Sequence, residues 1–384
     1  MHTSPISIKA AVALGVDEPF STTPLELRPP GPGELLVRIV ATGICHTDVM
    51  TKTKGLCEFP MVLGHEGVGV VERVGDSVTG FSSGDHVIMS YDYCADCVHC
   101  DMAKPSYCLD HGSLNFAGTR PDGERTHRNV GDSDFDIPGS FFQQSSFATH
   151  ALSHVTNTIK VDKDLPLATL APLACGVQTG AGTVFNTLDV QPGNSIAIFG
   201  CGCVGLSAVM AAKVAGAETI IAIDVNEKRL DMALEIGATH VLNPNDFEDT
   251  DAFLAAMGAV VPIGTNFAID TTGNPAVLRQ AFDSCGPLGV TAMIAPGVPG
   301  TEVTVEMMGL LPGKSLRGVI QGDSESKTFI PKLIDLWQQG VFPFDKLITT
   351  FESLDSLEDA VQAMNAGAVI KPVVVIDDSV GQDA

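Results

Sequence analysis

Four cysteines fall within fifteen residues, in the pattern Cys94-x2-Cys97-x2-Cys100-x7-Cys108. Thiolates at that spacing make a closed tetrahedral zinc site, and it is structural because no coordination position is left for water. The other reading is four free thiols in a loop, which would crowd reactive groups together with nothing to satisfy them. The chain has ten cysteines and shows no secretory segment. In that setting a bunch of cysteines points to metal rather than to disulfides.

A second signal is Gly200-x-Gly202-x-x-Gly205, entered by the apolar run Ser-Ile-Ala-Ile-Phe. Strand, tight glycine turn and helix start make a pyrophosphate cradle. Bare backbone lets phosphate approach, and the helix N-terminus supplies donors and positive potential. Asp224 follows Gly205 by 19 residues, at the end of the next apolar run. A carboxylate there suits the adenosine ribose hydroxyls and so NAD rather than NADP. Cys201 and Cys203 inside the loop read as small fillers, as do Cys57 and Cys285 elsewhere.

Cys45-His46-Thr47-Asp48, Gly64-His65-Glu66-Gly67 and the isolated Cys175 hold the remaining candidates. Two thiolates and one imidazole on one zinc would leave the fourth tetrahedral position open to water or an alkoxide, and the ion lowers the pKa of a hydroxyl bound there. Taken singly, each residue has a plainer reading, since a lone cysteine is usually a small buried hydrophobe. Glu66 reads as a partner behind the metal, an alternate ligand or a buried ion-pair partner. Asp48 reads either as the group on the other nitrogen of His65 or as a turn cap.

The elements that must position these residues fall into two styles. From Ile6 to about residue 118 the chain predicts short strands, for example over 34–40 and 67–74, with Gly and Pro between them. Residues 118–139 read as a long polar loop. From Pro192 strands and helices alternate: strands at 195–199, 219–223, near 240, at 267–270 and 290–294, with helices to about 216 and at 227–236 and 275–282. That rhythm means βαβ units and a parallel sheet. The tail predicts helices at 332–338 and 357–366 and a strand at 371–376.

With 384 residues the chain is too long for one ordinary core, and two domains are expected. A net charge of -24 argues against nucleic acid or an acidic membrane surface as partner. Two uncharged spans, 169–188 and 195–212, break at glycines and do not read as membrane helices. The absence of a targeting signal leads to a cytoplasmic expectation.

Assembled, these residues resemble the zinc-dependent medium-chain alcohol dehydrogenases over nearly the whole length. The resemblance rests on Gly43-Ile-Cys-His-Thr-Asp48, Gly64-His-Glu-Gly-Val-Gly69, the four-cysteine lobe, Cys175-Gly-Val-Gln-Thr-Gly180 and the glycine loop. Within the family, Phe141-Phe142-Gln-Gln-Ser-Ser-Phe147 and Thr119-Arg-Pro-Asp-Gly123 are most similar to the aryl (benzyl) alcohol dehydrogenases. The resemblance implies an α/β fold with a β-rich part. A GroES-like catalytic domain over 1–175 would carry the structural zinc lobe at 90–112. A six-stranded Rossmann domain over 176–320 would bind NAD, and 321–384 would return to the first domain, with the active site in the cleft. It implies two zinc ions per chain: a catalytic one on Cys45, His65 and Cys175 with Glu66 nearby, and the structural one. It implies Thr47 as the hydroxyl taking the substrate proton. His46 and Lys371 would lie on the cofactor pyrophosphate, Arg229 over the adenosine ribose, and Thr179 and Val204 near the nicotinamide. By alignment Phe141 and Phe142 would line the substrate pocket, and Ser90 would open space where relatives have an aromatic ring. One departure is Met50, which stands where members with a full proton relay have histidine. The implied activity is reversible oxidation of primary, benzylic or allylic alcohols to aldehydes, in a homo-oligomer, dimer or tetramer. The alternatives are glutathione-dependent formaldehyde dehydrogenase, a lyase, and a non-catalytic NAD-binding protein on the same scaffold.

Overall fold

Strand Glu34–Gly43 is the axis of the first part of the molecule. Nine of its ten residues are buried and only Arg38 reaches the surface, as a strand covered on both faces requires. It pairs antiparallel with Glu66–Val74, Lys371–Val375 and His150–His154. Seven strands form this sheet, and a second sheet of four, built on Ile6–Ala13 and Ser21–Leu27, lies in the same unit. The computed structural model describes residues 4–379.

The described chain divides into two compact units. One holds the residues as far as Cys175, together with Glu325–Pro331 and the chain from Leu347 on; the other holds Gly176–Ser324 and Lys332–Lys346. The return from residue 321 is therefore made in two steps. Helix Ser326–Gln338 gives its first half to one unit and its second half to the other. The sequence places the start of this helix after Pro331, whereas the structure carries it through the proline. Proline removes one intrahelical bond, and the burial of Phe329, Ile330, Leu333 and Ile334 holds the helix across it.

The second unit contains six parallel strands. Numbered within the sheet, their order is 3-2-1-4-5-6, with Ser195–Phe199 at the centre. This is the doubly wound order in which the chain reverses direction across the sheet beside the first strand; the parallel sheet expected from the sequence is present, with the six strands that the resemblance implies. Strand Thr219–Ile223 and helix Glu227–Ile236 begin and end where the sequence places them. Their ends are chemically marked: Asn226 caps Lys228 N, and Gly216, at φ +81, closes the preceding helix Cys203–Ala215. Strand Ser315–Gly318 is the last in the sheet and is exposed along its whole length.

One expectation is corrected. The stretch 118–139 is not all loop, because His127–Asn129 pairs antiparallel with Leu25–Leu27. His127 is fully buried, and its Nδ1 lies 2.9 Å from Thr126 Oγ1. Three polar residues carry no apolar alternation, so nothing local in the sequence marks them as a strand. Among the described residues no helix is long and apolar enough to cross a membrane.

Candidate active site

The lobe from Cys94 to Cys108 draws its four sulfurs together. Sγ···Sγ separations are 3.4 Å for Cys94–Cys108, 3.6 Å for Cys97–Cys100, 3.9 Å for Cys94–Cys100 and 4.0 Å for Cys97–Cys108. Zinc–sulfur bonds of about 2.3 Å in a tetrahedron require edges of about 3.8 Å, so the lobe has the dimensions of a zinc–tetrathiolate. The N–H of Leu109 and of Cys94 point at Cys97 and Cys108 Sγ, 3.5 and 3.3 Å away. The N–H groups of Leu109 and Cys100 hold the Cys97 thiol down at about 6, so the lobe favours a thiolate there.

A second cluster brings Cys45, His65, Glu66 and Cys175 together, with their ligand atoms all within 4.8 Å of one another. Cys45 follows strand Glu34–Gly43, and Glu66 opens the strand beside it, with Gly43 opposite Glu66 in the register. That pairing puts Cys45 and His65 at one end of the sheet. Cys175 enters from the turn Ala171–Ala174. Gly64 is required just before His65: its φ is +94, and a Cβ would stand 2.5 Å from Phe147 N.

Asp48 locks the arrangement. Its Oδ1 lies 2.8 Å from His65 Nδ1 and accepts from Gly64 N at 3.2 Å, while Oδ2 accepts from Cys45 N at 3.0 Å. With Nδ1 anchored, His65 Nε2 is left buried without a hydrogen-bond partner. Two sulfurs, an imidazole nitrogen turned toward them and a carboxylate form a donor set that fits zinc. The Cys175 thiol and the nearby His65 imidazole hold the Cys45 thiol well below its ordinary value, against the burial that raises it. Burial pulls His65 down, but the Asp48 carboxylate and the Cys45 thiolate outweigh it and leave the imidazole well above its ordinary value.

Glu66 is raised to about 6 by burial, against the pull of Lys371. Lys371 Nζ lies 2.8 and 2.9 Å from the two Glu66 oxygens and donates to Ile44 O at 3.0 Å. Lys371 is only 2% exposed, so its ammonium is turned into the cluster rather than to the surface. Thr47 Oγ1 is 3.7 Å from Cys45 Sγ, and His46 is exposed at the start of helix His46–Thr53.

Phe141 and Phe142 are buried against the histidine. Phe142 stacks on His65 with centroids 4.4 Å apart, and Phe141 meets it edge-on at 5.7 Å. Ser90 is buried as well, its hydroxyl donating to Ala174 O at 2.6 Å and lying 3.2 Å from Ser326 Oγ. Sequence reasoning passed over Gln144, which donates to the carbonyls of His65, Met89 and Ser90. No spacing rule could have found it, since its partners lie more than fifty residues away.

In the second unit the glycine loop is shaped for phosphate. Gly200 stands at φ +93, a Cβ on Gly205 would lie 1.8 Å from Gly200 O, and a Cβ on Gly202 would meet nothing within 4 Å. The first two facts make the turn tight, and the third leaves open space at the N-terminus of helix Cys203–Ala215. Asp224 accepts from Cys201 N at 2.6 Å and Asn226 N at 2.9 Å, with Arg229 4.0 Å away. Thr179 Oγ1 bonds Gln321, and Gly180 lets Val204 O approach, since a Cβ there would stand 2.1 Å from it. The loop fits a dinucleotide.

Comparison with known proteins places these features in context. The family described as alcohol dehydrogenase GroES-like domain matches residues 31–162, and the zinc-binding dehydrogenase family matches 203–339. The chain is 40% identical over 372 residues to a geraniol dehydrogenase of Castellaniella defragrans, covering 96% of this chain and 98% of that protein. It is similar to the crystal structure of benzyl alcohol dehydrogenase from Acinetobacter calcoaceticus, with TM-score 0.91 and 41% identity, covering 97% of this chain and 99% of that one. An alcohol dehydrogenase zinc-binding domain protein from Burkholderia ambifaria matches with TM-score 0.93 and 42% identity, covering 97% and 100%.

Asp48→Ala tests the lock. It strands the His65 ring N–H and two backbone N–H groups in a buried site, so chemical denaturation followed by circular dichroism should show a loss of roughly 3–5 kcal/mol. A loss below about 1 kcal/mol, the level of an ordinary surface change, would show that the three contacts do not hold the site.

Proposed function

The chain belongs to the zinc-dependent medium-chain alcohol dehydrogenases, and on that footing we propose that it oxidises benzylic and allylic primary alcohols to aldehydes with NAD, reversibly. One conjunction carries this reading. The donors Cys45, His65 and Cys175 stand together, in a chain matched nearly end to end by proteins named geraniol dehydrogenase and benzyl alcohol dehydrogenase.

Cys45, His65 and Cys175 would hold a catalytic zinc, with Glu66 beside it, and Cys94, Cys97, Cys100 and Cys108 a structural one. Zinc supplies a Lewis acid that lowers the pKa of an alcohol, and NAD supplies the hydride acceptor. The residues do the rest. Asp48 fixes the tautomer of His65 by accepting from Nδ1. Thr47 Oγ1, near Cys45, takes the alcohol proton. Gly200, Gly202 and Gly205 cradle the pyrophosphate, Asp224 takes the ribose hydroxyls and Arg229 lies over the adenosine ribose. Thr179 and Val204 border the nicotinamide, and His46 and Lys371 complete the basic side of the site. For Lys371 that role requires sharing its ion pair with Glu66. Phe141, Phe142 and Ser90 form the wall behind the substrate.

Elemental analysis of loaded protein should give two zinc ions per chain. Phenanthroline should remove one with loss of activity, and the lobe should hold its ion until it unfolds. One zinc in fully active protein would refute the assignment.

A single assay of NADH absorbance tests substrate and cofactor. Burying a phenyl group contributes roughly 2–3 kcal/mol, so benzyl alcohol should exceed ethanol by about one and a half to two decades in kcat/KM. NADP should be poor, because a 2′-phosphate meets the Asp224 carboxylate. Glutathione should make no difference. Equal efficiency for ethanol and benzyl alcohol sinks the substrate reading; equal use of NAD and NADP sinks the cofactor reading.

For assembly, the exposed last strand Ser315–Gly318 supports pairing with a second copy. Met307, Met308 and Leu311, close by in sequence, and Leu288, whose N–H donates to Pro312 O, are also exposed. Light scattering should give at least the mass of a dimer, and Leu311→Asp should lower it. A wild-type monomer at micromolar concentration rules this out.

A further inference from the structure

The turn that carries Phe142 has an unusual backbone. Phe142, Gln143 and Ser145 stand at φ +50, +52 and +52, and none is glycine. This left-handed region is uncommon for side-chain-bearing residues and an outlier for bulky ones. Such strain persists only where surrounding contacts over-determine it, and an observed outlier invites the question of what it achieves.

The surrounding contacts are present on every side. Asn157 Nδ2 donates to Phe142 O at 3.0 Å, Arg120 Nη1 to Gln143 Oε1 at 2.7 Å, and Ser145 Oγ to Val62 O at 2.7 Å. Gln143 Nε2 reaches Leu114 O at 2.8 Å. Pinned in this way, the turn presents two groups to one residue. The Phe142 ring lies on the His65 imidazole, 4.4 Å away and inclined by 26°. The Gln144 amide donates to His65 O at 2.9 Å and accepts from Gly67 N at 3.0 Å, holding the backbone on both sides of Glu66.

Packing alone does not require this. The hydrophobic cluster that includes Phe142 needs an apolar side chain of that volume, which regular backbone can deliver. The near-parallel overlap with an imidazole is the specific result. The bond from His65 Nδ1 to Asp48 Oδ1 anchors one edge of the ring, but the ring can still hinge about that bond. Nε2, on the far side, has no hydrogen bond of its own. Its direction is therefore set by whatever covers the faces of the ring, and Phe142 covers one of them.

We propose that the left-handed turn Phe142–Ser145 is a positioning device for the metal-binding histidine: Phe142 fixes the plane of the His65 ring and Gln144 fixes its backbone, so the turn sets how firmly the open-site zinc is held. The proposal rests on the reading of Cys45, His65 and Cys175 as ligands. It differs from a substrate-wall role, which would act on alcohol binding and leave the metal alone.

The test is zinc release from the full-length, zinc-loaded chain to the chromophoric chelator 4-(2-pyridylazo)resorcinol. Wild type should show a fast phase from the open site and a slow phase from the Cys94–Cys108 lobe. Phe142→Leu should accelerate the fast phase by roughly 10- to 100-fold, the usual scale for partners that orient a metal ligand. The slow phase should stay within twofold of wild type. Phe142→Tyr keeps the ring and should restore the wild-type rate. Gln144→Met, close in size but without the amide, should act in the direction of Phe142→Leu and carries the test if that variant does not fold. Cobalt substituted at the open site should show a shifted visible absorption band in both deficient variants. Two phases in wild type with the fast phase unchanged in folded Phe142→Leu or Gln144→Met, whatever happens to KM for benzyl alcohol, overturns this proposal alone. A wild-type chain with only the slow phase overturns the ligand reading and this proposal with it.

Discussion

Everything at the candidate active site depends on one buried carboxylate. Asp48 is fully buried and receives Cys45 N, Gly64 N and His65 Nδ1. These partners belong to two segments that strand pairing alone would leave free to slide. Burying a carboxylate costs several kcal/mol, and hydrogen bonds to a charged group return about 1.5–3 kcal/mol each. With three such bonds the balance favours burial, but only while all three partners are in place. The site is therefore specified cooperatively, and a cysteine and a histidine twenty residues apart are fixed relative to each other through one side chain.

A second buried charge pair bounds the same cluster. Lys371 reaches Glu66 and Ile44 O from strand Lys371–Val375, which pairs with the end of strand Glu34–Gly43. More than three hundred residues separate Lys371 from Glu66, so the first unit is complete only when the end of the chain has returned. Loop-closure entropy at that separation is met late in folding. The pair also keeps Glu66 occupied: an ammonium on both carboxylate oxygens competes with any cation for them. The sulfurs and the imidazole are the softer donors of the cluster, a set that suits zinc.

Under the proposed function the second unit faces a different problem, the binding of a large anion by a chain that is itself strongly acidic. It meets this without lysine or arginine in the loop. Gly200 and Gly205 bring strand and helix into contact, Gly202 leaves the space, and the helix N-terminus supplies the donors. Local dipoles decide here, because they act within a few ångströms, whereas the net charge of -24 is spread over the surface and screened by salt.

The sequence by itself determined what depends on short-range rules. The four-cysteine spacing defines a zinc-sized lobe because its ligands come from one loop. The glycine spacing defines the phosphate turn because Gly205 answers the carbonyl of nearby Gly200, which itself takes a left-handed φ. Alternating apolar runs and caps such as Asn226 determined the parallel sheet. Only the tertiary structure decided the rest, and the reason is distance along the chain. Cys45, His65 and Cys175 are weak signals singly, and their gathering comes from the register of Gly43 opposite Glu66 and from Asp48. Lys371 was expected beside the cofactor pyrophosphate, and its buried ion pair with Glu66 could be seen only in the fold. That Phe141 and Phe142 also lie on His65 depends on a left-handed turn that no sequence pattern announces. Strand His127–Asn129 was invisible for the same reason, since its partner strand and the burial of His127 are supplied by the fold. Spacing encodes what one segment can do alone; which segments meet is settled by the packing of the whole chain.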